Sequence, residues 1–217
     1  MQGGVPMTTV KICGLTNIED ALWAWQCGAD LLGFILVPHS PRYVSPENIA
    51  HLSHTLRREG CTARLVGVLA STSPHECREA AINHLDLIQW HGAEGERPPF
   101  EALGRPVIAV QRVRPEPGWH PLPMPEAWAV LLDAFDPVRL GGTGTPWDWH
   151  LLKGHPPIHE RLIVAGGLTP ENVSQAVMAV HPWGVDVSSG VEAAPGRKDA
   201  RRVQAFIQNV KGASYGE

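Results

Sequence analysis

Short apolar runs rich in β-branched residues alternate with amphipathic stretches from one end of this 217-residue chain to the other. The first run covers residues 8–13 and ends in a glycine turn, after which Thr16 or Asn17 is placed to cap a helix to Cys27, with Gly28 ending it. Residues 30–36 predict a second strand, and Ser45-Pro46-Glu47-Asn48 opens a helix to about Arg58 with proline at its first position. A third strand follows at 64–69, a helix opened by Ser73-Pro74-His75-Glu76, and a fourth strand at 85–90 ending in His91-Gly92. The pattern then weakens. Residues 98–103 support at most a short helix, 105–111 predict a fifth strand, and five prolines within 114–125 predict an irregular crossover with little helix. A sixth strand at 127–132 ends in Asp133, and a glycine-rich loop at 141–146 precedes a short helix near 149–153. The seventh strand and its turn occupy 162–167, and Thr169-Pro170-Glu171-Asn172 caps a helix to Val180. The eighth strand lies at 184–190 and the last helix at 198–210.

Eight strand–helix units with short connections imply parallel strands and right-handed crossovers. The predicted architecture is a single α/β domain, a (β/α)8 TIM barrel over residues 8–217, behind a disordered N-terminal extension of residues 1–7. An open, doubly wound sheet is the alternative that periodicity leaves standing.

Alternation also assigns faces. In the first strand Val10 and Ile12 point one way, Lys11 and Cys13 the other. The apolar pair suits packing on outer helices. Cys13 is then at the strand's carboxyl end, where such barrels place their chemistry. Asp133, above inward Ala129 and Leu131, stands at the barrel mouth, or else caps a strand-to-loop turn. Asp186 shares an inward face with Ser188 and lies deeper, so it needs a cation; Lys11 is the candidate, with a structural ion pair as the first reading and catalysis as the second.

Gly166-Gly167 and Ser189-Gly190 close strands seven and eight, the position from which barrel loops hold phosphate with backbone amides. Gly141-Gly142-Thr143-Gly144 adds a third loop and is no Walker sequence, since no Lys-Ser/Thr pair follows. Arg42, between Pro41 and Tyr43, is a stiffly placed fork for an anion or else a solvated surface arginine. His150, His155 and His159 lack the spacing of a metal set, so no metal ligand is assigned.

Composition narrows the field further. The 43% hydrophobic and 18% charged content is that of a soluble globular protein, and no apolar run approaches the roughly 20 residues of a membrane span. A formal net charge of −4 argues against nucleic acid as a partner. Four cysteines without a C-x-x-C pair, and an N-terminus with neither basic start nor apolar core, point to the cytoplasm. The partner expected is a small phosphorylated molecule, with monomer and homodimer both open.

A thiol, a carboxyl and a phosphate site suit proton transfer on a sugar phosphate, which needs only an acid and a base. His91 is the one rim histidine that could serve a nucleophilic cysteine. Two strand residues span ~6.6 Å. At an effective dielectric of 20, charged Lys11 would stabilise a Cys13 thiolate by at most ~2.5 kcal/mol. That lowers its pKa by up to ~1.8 units, so thiolate is expected to be common.

From Val10 to Val210 the chain resembles the phosphoribosylanthranilate isomerases of tryptophan biosynthesis. The resemblance rests on Lys11-Ile12-Cys13-Gly14-Leu15-Thr16, Gly33-Phe34, Ser40-Pro41-Arg42-Tyr43, Val66-Gly67-Val68 and Gln89-Trp90-His91-Gly92. It continues through Leu131-Leu132-Asp133, the glycine-rich loop with Trp147-Asp148-Trp149, Ala165-Gly166-Gly167-Leu168, and 185–192. It implies a (β/α)8 barrel catalysing an Amadori rearrangement with no metal or organic cofactor. Asp133 would be the general acid and Cys13 the general base. Arg42 would hold the anthranilate carboxylate, and the loops at Gly166-Gly167 and Ser189-Gly190 the phosphate. One departure stands out: Thr145-Pro146-Trp147 occupies the place of a usual lysine and aromatic. A related isomerase of histidine synthesis, which would use paired aspartates, and a non-catalytic sugar-phosphate sensor are the rivals; Cys13 argues against the first, and the joint presence of thiol, carboxyl and arginine against the second.

Overall fold

The computed structural model describes residues 7–93, 95–114, 120–134, 149–152 and 158–213. In order they form β1 (Thr9–Ile12), α1 (Ile18–Gln26), β2 (Leu31–Ile35), α2 (Pro46–Arg58), β3 (Arg64–Ala70), α3 (His75–His84), β4 (Leu87–His91), β5 (Val107–Val113), β6 (Ala129–Ala134), β7 (Leu162–Val164), α4 (Val173–Val180), β8 (Gly184–Val187), β9 (Glu192–Ala194), β10 (Arg197–Lys198) and α5 (Ala200–Lys211). Strands β1 to β8 pair in chain order, all parallel, and β8 returns to β1 through Lys11↔Asp186 and its neighbours. The sheet is a closed barrel, so the doubly wound alternative falls.

Local sequence explains where the helices start. Asn17 Oδ1 accepts from the Asp20 amide at 2.8 Å, Ser45 caps α2 ahead of Pro46, and Asp199 Oδ1 accepts from the Arg201 and Arg202 amides. Residues opposite one another in parallel register share a face, so inward Lys11 carries the assignment round the ring. Through Leu31, Gly33, Val66 and Val68 it reaches Gln89, His91, Arg112 and Asp133. Leu31, Val66, Leu87, Ile108, Ala129 and Ile163 fill the lower interior.

Among the described residues the outer layer falls into a large and a smaller cluster. One large cluster joins the outward residues of β1, β2, β3 and β8, such as Val10, Phe34, Leu65 and Val185, to the apolar faces of α1, α2, α3, α4 and α5. Beside β5 and β6 the outward residues Ala109, Val113, Val130 and Leu132 meet a smaller cluster of Met124, Ala127, Phe100 and Leu152.

Several expectations are corrected. The short helices expected at 98–103 and 149–153 are single 3-10 turns, at residues 100–103 and 149–152. β5 and β6 each run two residues further than predicted, because pairing such as Val113↔Ala134 extends the ladder past the apolar run. The eighth strand stops at Val187, where Ser189–Val191 tightens into a 3-10 turn. An antiparallel hairpin, β9–β10, stands where no element was predicted, and it takes Lys198, so the last helix starts at Ala200 rather than at 198. The predicted N-terminal extension, apart from Met7, and the glycine-rich loop with Trp147 lie outside the described residues.

Candidate active site

Cys13 is the first residue past β1. Its amide donates to Val187 O at 2.8 Å, tying the thiol's backbone to the end of β8. Beneath it, Lys11 is wholly buried and its Nζ donates to Asp186 Oδ1 at 2.8 Å. Gly33, on the neighbouring strand, makes room for both: a Cβ there would lie 2.9 Å from Cys13 Sγ and 3.0 Å from Lys11 Nζ. Thiol and ammonium therefore share one small space inside the barrel.

The electrostatics differ from expectation. Burial pushes the Cys13 thiol up, and the pull of Lys11 is too small to reverse it, partly because Asp186 adds a negative charge of its own. Burial pulls Lys11 down, but Asp186 and Cys13 more than compensate, so the lysine is held charged. The expectation of a common thiolate in the free protein is thus overturned. The counter-ion and the lost solvation outweigh the attraction, even though Sγ and Nζ both lie within about 3 Å of one point beside Gly33.

Asp133 is half-buried on β6, inward and in register with Arg112 of β5. The sequence reading missed Arg112 because it ended that strand at Gln111; alternation from Ile108 carried one step further would have found it. His91 closes β4, with Nε2 at 2.9 Å from the Gln89 carboxamide nitrogen. Burial, then Lys11 and Arg112, depress it from 6.5 to about 4. It is neutral at physiological pH.

Across the rim, Arg42 grips Glu192 with Nε and Nη2 at 2.8 and 2.7 Å. It is no solvated surface arginine: 14% of its side chain is exposed. Lys198, also unremarked in the sequence, has its Nζ buried between Glu192 Oε1 at 2.9 Å and Ser188 O at 3.1 Å. The loops after β7 and β8 lie against each other, since a Cβ on Gly190 would overlap the Leu168 carbonyl oxygen. Among the described residues, the amides of Gly166, Gly167, Ser189 and Gly190 donate to no backbone carbonyl. They remain available to an anion. The described residues contain no cluster of three or more potential metal ligands, and no helix long and apolar enough to cross a membrane.

Fold and site together define a (β/α)8-barrel enzyme whose functional groups ring the carboxyl ends of the strands. Residues 10–209 match the family model of N-(5'-phosphoribosyl)anthranilate (PRA) isomerase. The isomerase of Geobacter sulfurreducens is 44% identical, the match covering 95% of this chain and 100% of that protein. The crystal structure of the phosphoribosyl anthranilate isomerase of Thermotoga maritima superposes with a TM-score of 0.78 at 36% identity, covering 95% of this chain and 100% of the other. A phosphoribosyl anthranilate isomerase holding reduced 1-(o-carboxyphenylamino)-1-deoxyribulose 5-phosphate superposes at 0.75 with 35% identity, over the same shares. The chain belongs to the phosphoribosylanthranilate isomerase family, isomerases of tryptophan biosynthesis.

Proposed function

We propose that this chain rearranges N-(5'-phosphoribosyl)anthranilate to 1-(2-carboxyphenylamino)-1-deoxyribulose 5-phosphate, with Asp133 as general acid and Cys13 as general base. Asp133 gives its proton to the ribose ring oxygen as the C1–O bond breaks and the anthranilate nitrogen's lone pair forms a C1=N iminium. Cys13 gives up its thiol proton to solvent as the iminium forms; the thiolate then takes the C2 proton, and the C–H electron pair neutralises the iminium, leaving an enol-amine that tautomerises to the ketose. Atoms are conserved throughout, as an isomerisation requires. The Gly166-Gly167 and Ser189-Gly190 amides hold the phosphate, and Arg42 takes the anthranilate carboxylate.

The observation that carries this reading is the enclosed thiol beside Lys11, which burial holds toward its protonated form. A protonated iminium about 5 Å away contributes ~3 kcal/mol at an effective dielectric of 20, or ~2 units on the thiol. The intermediate thus opposes the effect of burial and favours the thiolate that consumes it. Loss of anthranilate fluorescence on mixing with fresh phosphoribosylanthranilate measures turnover. Cys13→Ala and Asp133→Asn should each lower kcat by about 10²- to 10⁴-fold. Full activity in either variant removes that residue from its role; an inactive wild type removes the reaction.

A further inference from the structure

Glu192 belongs to no role described so far, yet its carboxylate accepts four hydrogen bonds on the rim. Oε2 accepts from Arg42 Nη2, while Oε1 accepts from Arg42 Nε, from Lys198 Nζ, and from the Gly196 amide at 3.3 Å. Only 5% of its side chain is exposed, and 1% of that of Lys198. One buried negative charge therefore serves two cations and leaves a net positive charge beside Cys13.

The geometry of the guanidinium gives this arrangement a direction. Arg42 spends its Nε/Nη2 side on Glu192, so its end-on edge, Nη1 with the second Nη2 hydrogen, is the pair left for a ligand. The stem is fixed as well: Arg42 Cδ lies 2.6 Å from where a Gly14 Cβ would stand, directly over the backbone that follows Cys13. The turn of the β9–β10 hairpin is itself anchored. Thr16 Oγ1 donates to Gly196 O at 2.6 Å, and the Lys198 amide donates to Asp20 Oδ2 at 2.8 Å. Lys198 then ties Glu192 to the Ser188 carbonyl, immediately before the amides assigned to phosphate.

We infer that Glu192 is a positioning residue that aims the end-on edge of Arg42 at the substrate carboxylate, the β9–β10 hairpin serving as a brace between the carboxylate-reading and phosphate-reading ends of the site. This rests on the reading of Arg42 under the proposed function. Glu192 touches no reacting atom. Its effect falls on recognition of the carboxylate.

The test compares two stable ligands by calorimetry: reduced 1-(o-carboxyphenylamino)-1-deoxyribulose 5-phosphate and its phenylamino counterpart without the carboxylate. The wild type should prefer the carboxylated ligand, and Glu192→Gln should shrink that preference by about 10- to 100-fold, the range typical of removing an orienting partner. Affinity for the phenylamino ligand should hold. Equal weakening of both ligands would make the role merely structural and overturn the inference. An unchanged preference, or one that widens because Glu192 had competed for Arg42, would overturn it too. Should Glu192→Gln lack a cooperative melt, Glu192→Asp keeps the charge but stands one methylene short of Arg42, and the same shrinkage is required of it. A wild type that binds both ligands equally sinks this inference while leaving turnover intact; one that neither binds them nor turns over sinks the proposed reaction with it.

Discussion

His91 offers a quantitative test of the site's electrostatics. Its folded pKa of about 4 lies below the unfolded 6.5, because burial, Lys11 and Arg112 all disfavour the imidazolium. A depressed histidine binds protons only in the unfolded chain between those two values, so stability must fall as pH drops through that window. Integrating the linkage from pH 7 to pH 5 gives a loss of about 2 kcal/mol from this one side chain, and about 3 kcal/mol once pH falls below both pKa values. The perturbation is His91→Gln, which keeps a polar side chain beside Gln89 and cannot titrate. Urea unfolding followed by circular dichroism at pH 7, 6 and 5 measures both proteins. The wild type should lose about 2 kcal/mol more than the variant between pH 7 and pH 5. Glu192, whose own shift is downward, acts below its ordinary value of 4.5 and is common to both proteins, so it cancels in the difference. Parallel pH profiles would refute the reasoning: His91 would then be solvated, and Lys11 and Arg112 too well screened to matter.

Gly33→Ala forces a methyl into the space shared by Cys13 Sγ and Lys11 Nζ, so kcat should fall well beyond the ~1–3 kcal/mol overpacking cost seen in a melt; unchanged kcat would mean that thiol position does not limit turnover. Asp186→Asn leaves the Lys11 ammonium buried without its counter-ion and should cost about 3–5 kcal/mol in chemical unfolding. Adding Lys11→Met should recover most of that loss, and a double variant no more stable than the single one would deny the coupling. Gly190→Ala drives a Cβ into the Leu168 carbonyl, so the loops after β7 and β8 must part, and inorganic phosphate should compete about 10-fold less well; unaltered competition would place phosphate elsewhere.

How much of this was legible in the sequence depended on whether the signal was local. Alternation within Val10 to Cys13 and within Val185 to Ser188 put Lys11 and Asp186 on the inner face, and the cost of a lone buried charge matched them across 175 residues. Asp133 was found the same way. The Cys13 protonation state was not legible, since it depends on lost solvation and on how far Asp186 already engages Lys11, and neither is a property of spacing. Glu192 and Lys198 were hidden for another reason. Their hairpin has strands of three and two residues around Pro195-Gly196, too short for any period, and the Arg42 partner is 150 residues away. The irregular crossover after β5 was read correctly from its prolines as far as the described residues extend.

The division of the outer layer bears on how the enzyme loses function. Cys13 directly follows β1, backed by the large cluster that five helices share, whereas Asp133 stands on β6, which among the described residues meets only the smaller patch with Met124 and Leu152. Fewer apolar contacts mean a lower free energy of local opening. Amide deuterium uptake should therefore be faster along β5 and β6 than along β1 and β8, in water and well below the global melt. The proposed acid and the proposed base would then belong to separate cooperative units, and on that reading mild denaturant would silence ring opening while the thiol still sits in a native pocket.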